Sequence, residues 1–516
     1  MDESGSGSSS TMYSSDDDII DDQKMEKLWA KERYEMKTEY REAVHNELHG
    51  VESRYDASKH ENPENHYRAL IQFENELNNP NSGISSEQNS SYLRALSLNS
   101  SYILSSSFRL RFLRAEFFDI SKAVVRFCSC LNLLVELFGE VSLLRQIFLS
   151  DLTKSERKLL KEGTMQLSPS RDSLGRRTLF FLGNVGENYH PRERDRVGIY
   201  LIFQVAAEDE TTQRNGLVTI HIMSEGVHRS MTGENLPKLC KFFGSVFNSC
   251  PLRFSAIHMC FPNKLLYQLL KPVMLMTVGN TGRKFLKIHS GTTIECNYSL
   301  NSFGVRQDDI PTTYSGTIKT RQHIRWLKVR DAMDEYVEQQ CKEYANRDYR
   351  LFYASDQYTI NSFPHIQCPG INCVLFHKNG VAWEFPGNVK FREFLDERLS
   401  YNNHLNNKGC FDVSVAPSER EGFLDRIIRL SLERNFQFLL HDDTKHWYDE
   451  LKNPAILRRY IGFAIRGRQR RVGAKRQRKA WSSNDVDNNT VGRNQGTRSA
   501  VFTNMDGGEA PNFGSN

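Results

Sequence analysis

The chain lacks a long apolar segment. None of its apolar runs approaches the roughly 20 residues that an α-helix needs to cross a bilayer. The two best candidates, residues 199–207 and 265–278, are too short or are interrupted by Lys271 and Pro272. Residues 1–22 carry seven acidic groups and no basic one, which is not the composition of a secretory signal peptide. These absences predict a soluble, intracellular protein of the cytoplasm.

Cysteine is sparse, and the residue constellations of catalysis are missing. Ten cysteines in 516 residues form no regular framework, which favours reduced thiols over a set of disulfides. Cys341 and Arg347 have the spacing of a cysteine phosphatase loop, but the residues between them lack the glycines that such a loop needs. The glycine-containing turns at 183–186 and 279–282 lack the Lys-Ser/Thr ending of a phosphate-binding loop. The sequence therefore predicts a binding protein rather than an enzyme, with no cofactor and no metal site.

From residue 176 onward the sequence alternates regularly between strands and helices. Four apolar runs are typical of buried strands: 176–182, 216–223, 253–261 and 284–289. Helical segments of about 12–20 residues separate them, and crossovers of that length join parallel strands. The pattern predicts an α/β fold: an N-terminal helical lobe, an open and largely parallel mixed sheet with helices, and then a small α-rich domain.

The stretch FRLRFLRAEFFDISKA, at residues 108–123, places three arginines among large apolar side chains. Asp119 is expected to be the N-cap of a helix that continues to about Leu137, and Gly139 is expected to end that helix. The segments RFLRA (111–115) and DISKA (119–123) resemble, position by position, the N-terminal lobe of the CRAL-TRIO lipid-binding family. The resemblance implies that the arginines brace this lobe against the domain that follows.

Further blocks continue this resemblance in the order that the family has them. They are DSLGRRTLFF, GLVTIHIMSEGV, RFSAIHMCFPNKLLYQLLKPVM and IPTTYSG. Arg177, Met223 and Ser315 depart from the residues that are usual in the family. The resemblance covers about residues 100–320. It implies an apolar cavity that holds one lipid or other lipophilic molecule under a mobile gate helix.

The resemblance also implies a set of lipid-contacting residues. The candidates are Phe180, Tyr200, Phe203, His221, Glu225, Phe261, Leu266, Leu270, Lys271, Pro272 and Met274. Lys271, in an otherwise apolar helix, is the candidate for pairing with an anionic phospholipid headgroup. Phosphatidylinositol-exchanging members have a glutamate near the place of Lys241, so the identity of the headgroup stays open. Ligand exchange implies transient contact with a membrane surface.

The C-terminal region carries a second resemblance. Gly387-Asn388, Phe391-Arg392, Phe438-Leu439 and Trp447 match an uncharacterised domain family of unicellular algae, and Phe391, Phe438 and Trp447 are expected in its core. Its ligand stays open. The domain boundaries that follow are an acidic disordered tail (1–22), the helical N-terminal lobe (23–150), the CRAL-TRIO-like lipid-binding domain (151–320), a helical linker (321–362), the small α-rich domain (363–465), and a basic run with a disordered tail (466–516).

Eight cations and no acid occupy residues 466–479: Arg466, Arg468, Arg470, Arg471, Lys475, Arg476, Arg478 and Lys479. A solvated helix end, a nuclear-targeting or nucleic-acid patch, and attachment to anionic lipid headgroups are all consistent with such a run. The main hypothesis is an intracellular lipid-binding or lipid-transfer protein with peripheral membrane association. The alternative is a regulatory nucleic-acid-binding protein with a nuclear location, whose lipid domain is a sensor. The sequence leaves the oligomeric state open.

Overall fold

The fold is built on a five-stranded sheet. The structure, a computed structural model, describes residues 22–79, 85, 87–183, 189–223, 235–354, 363–378, 380–382, 385–400 and 417–466. The strands follow chain order: β1 (Met165–Leu167), β2 (Thr178–Leu182), β3 (Leu217–Ile222), β4 (Phe254–Phe261) and β5 (Leu286–Ser290). β1 is antiparallel to β2, and every later pair of neighbours is parallel. The predicted strand–helix alternation and largely parallel sheet are confirmed.

Alternate residues of each strand face opposite sides of this sheet. One side carries Phe181, His221 and Met259, and it lies beneath helix Leu265–Thr277, which we call the gate helix. We call this side the gate face. On the opposite side, residues such as Ile220 pack against Leu300 of helix Thr293–Asn301. Both faces are therefore covered, as is usual for parallel sheets.

The N-terminal half of the chain is helical. Its helices are Asp22–Glu35, Thr38–Leu48, Ala57–His60, Pro63–Leu77, Ser90–Ser97, Ser101–Leu104, Ser106–Ala115, Ile120–Phe138, Val141–Leu144 and Lys154–Glu162. The side chain of Asp119 accepts a hydrogen bond from the Lys122 backbone N–H (3.2 Å), and Gly139 ends the same helix with a φ of 77°, both as predicted. Among the described residues, each helix is too short or too polar to cross a membrane.

Four of these helices form what we call the lobe bundle: Pro63–Leu77, Ser90–Ser97, Ser106–Ala115 and Ile120–Phe138. Phe127 lies in its core, with edge-on ring contacts to Phe73 (5.4 Å) and Phe112 (5.3 Å). The first two helices of the chain do not join this bundle. Helix Thr38–Leu48 packs on β4, and helix Asp22–Glu35 packs on the gate helix.

The helices around the sheet largely match the expected crossovers. They are Pro191–Ile199, Glu210–Asn215, Asn235–Ser249, Leu265–Thr277, Gly279–Arg283, Thr293–Asn301, Arg321–Ala345 and Tyr349–Ala354. Helix Pro191–Ile199 continues into a π-helical turn, Tyr200–Ala206. Gln204 in this turn is buried, accepts from the Ile147 N–H (3.1 Å) and donates to Glu208 (2.7 Å). The Gln204 side chain is buried and needs hydrogen-bond partners, and its position in the wider π-helical turn lets it reach both of them.

The C-terminal region contains a second sheet that the sequence analysis did not predict. Its strands are β6 (Cys373–His377), β7 (Gly380–Val381), β8 (Gln437–His441) and β9 (Tyr448–Glu450), in the order β7-β6-β8-β9. The region also contains helices Pro386–Ser400, Pro417–Glu433 and 454–466, so most of its regular structure is helical, as predicted. Phe391, Phe438 and Trp447 are buried, as predicted.

The chain divides into two compact units, residues 1–391 with 429–457 and residues 392–428 with 458–516. Both sheets belong to the first unit. Within it, the Arg171 guanidinium donates to the backbone carbonyls of Cys368 and Pro369 (both 3.0 Å) and also pairs with Asp209. The segment that leads into β6 is thereby fixed to the domain that precedes it in the chain.

Buried arginines join the lobe bundle to the sheet domain. Arg114 donates to both carboxylate oxygens of Glu61 (2.9 Å each), to Gln213 (2.6 Å) and to Glu210 (2.7 Å). Only 6% of its side chain is exposed. Because Gln213 and Glu210 belong to the helix that leads into β3, this one guanidinium connects the two parts. The bracing role predicted for the arginines of the 108–123 stretch is confirmed for Arg114.

We expect Arg114→Ala to lower the free energy of unfolding by about 3 kcal/mol, because Glu61 loses its two-point partner in a largely buried site and keeps only Arg214, His66 and Tyr55. Arg94→Ala is the matched control. Arg94 makes a similar two-point ion pair with Glu140, but both side chains are about half exposed and water screens the pair. Urea denaturation of both variants measures the difference. Equal losses of stability would contradict the assignment of Arg114 as the joint.

Candidate ligand-binding site

A small apolar cavity lies between the gate face of the sheet and two helices. We call it the gate cavity. Thr219, His221 and Met259 form its floor, and Phe243 and Met274 belong to the helices that cover it. Its volume is about 40 Å³. Ligand pockets usually measure about 300–1,000 Å³, so in this conformation the cavity is closed around a space for little more than a water molecule.

The gate cavity adjoins a much larger groove at the lobe bundle. This lobe groove has a volume of about 630 Å³ and shares four lining residues with the gate cavity, namely Phe247, Phe254, Ile257 and Val278. Its other wall comes from the stretch at the start of helix Ile120–Phe138, including Phe117 and Lys122. The cations Arg54, Arg126 and Arg253 also line it. Arg54 and Arg253 pair with Glu47, and Arg126 pairs with Glu116. The groove therefore combines an apolar wall with arginines that already have carboxylate partners.

A third cavity, of about 610 Å³, lies at the carboxyl ends of the parallel strands. We call it the strand-end cavity. Leu182, Ile222 and Cys260 contribute apolar surface, and Thr312 and Tyr314 contribute polar groups. Open α/β sheets commonly bind ligands outside the carboxyl ends of their strands.

The gate helix has one buried and one exposed side. Leu270, Met274 and Leu275 are buried in a cluster with residues of β4 and β5. Leu265 (71%) and Met276 (53%) are largely exposed. Pro272 lies inside the helix, where it supplies no backbone N–H and weakens the helical hydrogen bonding. The helix thus carries large apolar residues on its exposed side as well as on its buried side.

Helix Asp22–Glu35 holds the gate helix down. Trp29 packs against the gate-helix cluster, and its indole N–H donates to the Arg283 carbonyl (3.2 Å). The Arg283 guanidinium pairs with both oxygens of Glu32 (2.9 and 2.5 Å) and donates to the carbonyl of Leu275 (3.2 Å). We call this set of contacts the clamp. It joins the gate helix to a segment about 250 residues earlier in the chain.

His221 supplies a polar atom inside the apolar gate cavity. Its ring stacks on Phe181 (4.5 Å between centroids, 4° between planes) and meets Phe243 edge-on (6.0 Å). Within the described part of the chain the ring makes no hydrogen bond. Burial lowers the pKa of His221 to about 4. The imidazole is therefore neutral at pH 7 and can donate to or accept from a polar group of a ligand.

The structure brings only some of the predicted contact residues to the gate cavity. His221 and Met274 line it, and Leu270 lies in the adjoining cluster. Phe261 lies in that cluster and also lines the strand-end cavity. Pro272 is buried and Lys271 is half-buried in the gate helix. Glu225 and the side chain of Leu266 lie outside the described residues.

Three aromatic candidates lie elsewhere. Phe180 packs on the opposite face of the sheet, and its neighbour Phe181 lines the gate cavity instead. Tyr200 and Phe203 are buried in the core that the π-helical turn shares with the lobe bundle, whereas Ile202 of the same turn reaches the cavity. The sequence analysis chose Phe180 instead of Phe181, which is an error of one residue along β2. Phe181 is paired with His221 across the β2–β3 pair, so the two lie on the same face, and that pairing is the signal that could have identified Phe181.

The basic run is described only at its first residue. Arg466 is exposed at the end of helix 454–466, and its guanidinium lies over the Phe463 ring at 4.8 Å. The other seven cations, Arg468, Arg470, Arg471, Lys475, Arg476, Arg478 and Lys479, lie outside the described residues.

The low pKa of His221 makes a prediction about acid stability. An imidazole in the unfolded chain has a pKa of about 6.5, so between pH 6.5 and 4 the unfolded state binds a proton that the folded state does not. The free energy of unfolding should therefore fall as the pH decreases through this window. His221→Gln, which cannot titrate, should remove up to about 3 kcal/mol of that fall. Denaturation at a series of pH values measures it, and an unchanged pH dependence in the variant would contradict the burial of a neutral His221.

Curated proteins similar to this chain are lipid-transfer proteins by name. Alpha-tocopherol transfer protein-like from Mus musculus is 26% identical over 246 residues, which are 46% of this chain and 66% of the mouse protein. The Homo sapiens and Pongo abelii proteins of the same name are 26% identical over 254 residues, 47% of this chain and 68% of theirs. No family model matches the chain. The chain thus spans about two thirds of the length of these relatives, and the distant similarity is consistent with the resemblance of its strand–helix domain to lipid-binding proteins.

Proposed function

We propose that this protein binds one lipophilic ligand between the gate face and the gate helix and transfers it between membranes. The observation that carries the proposal is the gate cavity itself, apolar, with one neutral imidazole, and continuous in its lining with the lobe groove. Such a site suits a molecule with a long apolar part and one polar end. The names of the distant relatives, which refer to transfer of alpha-tocopherol, support a ligand of this class. The role is binding and exchange, without a chemical reaction.

Binding requires the gate helix to move. The gate cavity holds about 40 Å³, whereas a lipid chain needs several hundred, so the helix must shift away from β4 and β5 to admit it. Each CH₂ group that is buried contributes about 0.8 kcal/mol. A long chain therefore offsets the loss of the contacts that Leu270, Met274 and Leu275 make in the closed conformation.

The two sides of the gate helix support transfer at a membrane. Leu265 and Met276 present large apolar side chains to solvent while the helix is closed. At a membrane surface these side chains can enter the acyl region, which favours the displaced position of the helix. The clamp opposes this movement, because Arg283 holds both Glu32 and the carbonyl of Leu275. Opening thus becomes favourable only where lipid is present.

The polar end of the ligand has three candidate partners. The neutral ring of His221 suits an uncharged hydroxyl, because it can form a hydrogen bond without bringing a charge into the cavity. Two lysines suit an anionic headgroup: Lys122, which is largely exposed at the lobe groove, and Lys271 on the gate helix itself.

The proposal is tested by the ligand that the protein carries. Purified full-length protein is extracted with organic solvent, and the extract is analysed by mass spectrometry, beside uptake of labelled lipids from vesicles. We expect one lipophilic molecule per chain. Met274→Trp should weaken uptake by roughly tenfold, about 1.4 kcal/mol, because the indole fills the gate cavity.

Gln268→Trp is the matched control, because Gln268 is an exposed residue of the same helix and has no part in the proposed membrane contact. It should leave the amount of bound ligand unchanged. A wild-type protein that neither carries nor takes up any lipid would refute the proposal. Bound lipid that both variants retain would instead place the ligand outside the gate cavity, in the lobe groove or the strand-end cavity.

A separate prediction concerns Lys271. If it pairs with a headgroup, Lys271→Ala should weaken uptake of anionic phospholipid and leave uptake of uncharged lipid and the melting temperature nearly unchanged. Lys264→Ala, at the exposed residue just before the gate helix, is the control. Transfer assays with both lipid classes measure the effect. An equal loss for both lipids, or none for either, would remove Lys271 from the site.

A further inference from the structure

Two histidines lie side by side at the end of the C-terminal sheet. β6 and β8 are parallel neighbours, and their register pairs Phe376 with Leu440. His377 follows Phe376 and ends β6, and His441 follows Leu440 and ends β8. Their ring centroids are therefore only 5.3 Å apart. Both rings are half-buried. The parallel pairing therefore fixes two imidazoles at one edge of the sheet.

The turn after β8 adds a carboxylate to this pair. The side chain of Asp442 accepts from the backbone N–H of Thr444 (2.8 Å) and Lys445 (3.1 Å), which holds the β8–β9 turn in one shape. Asp443, the residue between, accepts a hydrogen bond from His441 Nδ1 at 2.8 Å. One ligand atom from each of His377, His441 and Asp443 lies within 4.8 Å of the other two.

We propose that His377, His441 and Asp443 bind a divalent transition-metal ion, with Zn²⁺ as the first candidate. Two imidazoles and a carboxylate are ligands that Zn²⁺ binds at about 2.0–2.2 Å. Ligand atoms around such an ion lie about 3–3.5 Å apart, so modest rotations of these partly exposed side chains bring them into place. The sequence analysis predicted no metal site, because two of the ligands are far from the third in the chain and no spacing motif joins them.

The surroundings favour a metal ion over a simple histidine–aspartate hydrogen bond. A histidine–aspartate hydrogen bond needs only His441 and Asp443. The register of β6 and β8 places a second imidazole, His377, beside them. Each unprotonated imidazole nitrogen offers an electron pair to a metal ion, and the two rings lie beside the same carboxylate. Three protein ligands leave at least one position of a tetrahedral ion for water or another ligand.

The test uses full-length protein without an affinity tag, first stripped with a chelator and dialysed. Zn²⁺ binding is measured by competition with a chromogenic chelator, and Co²⁺ binding by its visible ligand-field absorption. We expect one ion per chain. His377→Ala, His441→Ala and Asp443→Asn should each weaken Zn²⁺ binding by at least about tenfold and change the Co²⁺ spectrum. Asp443 is 63% exposed, so Asp443→Asn removes a ligand from a folded protein.

His365→Gln is the matched control. His365 pairs with Asp449 in the same sheet, but its ring stacks on Trp447 rather than on a second histidine that could share a metal ion. This variant should bind Zn²⁺ as the wild type does. The proposal is overturned if the wild type binds no Zn²⁺, or if the three site variants, folded by circular dichroism, all keep its affinity. The three proposed metal ligands do not line the gate cavity. The presence or absence of Zn²⁺ binding therefore does not affect the lipid proposal.

Discussion

Charges buried where the N-terminal helices meet the sheet domain must be paired, and this requirement decides which parts of the molecule are rigid. Arg114 holds three side chains from two parts of the fold, and Glu47, fully buried, receives Arg54 and Arg253 at 2.6 Å each. Removing one partner from such a pair leaves an unpaired charge in a poorly solvated place, which costs several kcal/mol. The pairs therefore resist any movement that would separate them. The helices and strands that carry these ion pairs therefore stay in place. Elements whose packing is mainly apolar are the ones that can move.

The gate helix is such an element. Its inner side makes contacts with β4 and β5 that are apolar and non-directional, so they can be exchanged for contacts with a lipid at little cost. One polar attachment of the helix passes through Arg283, which binds Glu32 and a backbone carbonyl of the helix. The neighbouring helix Asn235–Ser249 differs, because Arg126 of the lobe bundle donates to the carbonyls of Phe247 and Cys250 at its end. One wall of the gate cavity is thus fixed by a charge from the lobe, and the other rests on the clamp.

The order and type of the main elements could be predicted from the sequence because strands with apolar runs and helices with capping residues are local signals. Which side of β2 faces the gate cavity could not. Phe180 and Phe181 are both apolar in a strand that is covered on both faces, so the alternation that normally distinguishes the two sides is missing. The position of Trp29 on the gate helix was equally hidden, since it depends on a contact across about 250 residues. The C-terminal sheet was missed for a related reason: β7 and β9 have two and three residues, too few to show a period.

The seam between the two helices that cover the gate cavity contains a thiol. The Thr277 hydroxyl of the gate helix donates to the sulfur of Cys240 on helix Asn235–Ser249 at 3.0 Å, and Cys240 is half-buried. The other eight cysteines among the described residues are buried. When the seam parts, Cys240 loses this neighbour and becomes accessible to an alkylating reagent, while thiols in the packed cores stay protected. The native chain therefore carries its own chemical reporter of gate position, readable as a labelling rate at one cysteine without an engineered probe.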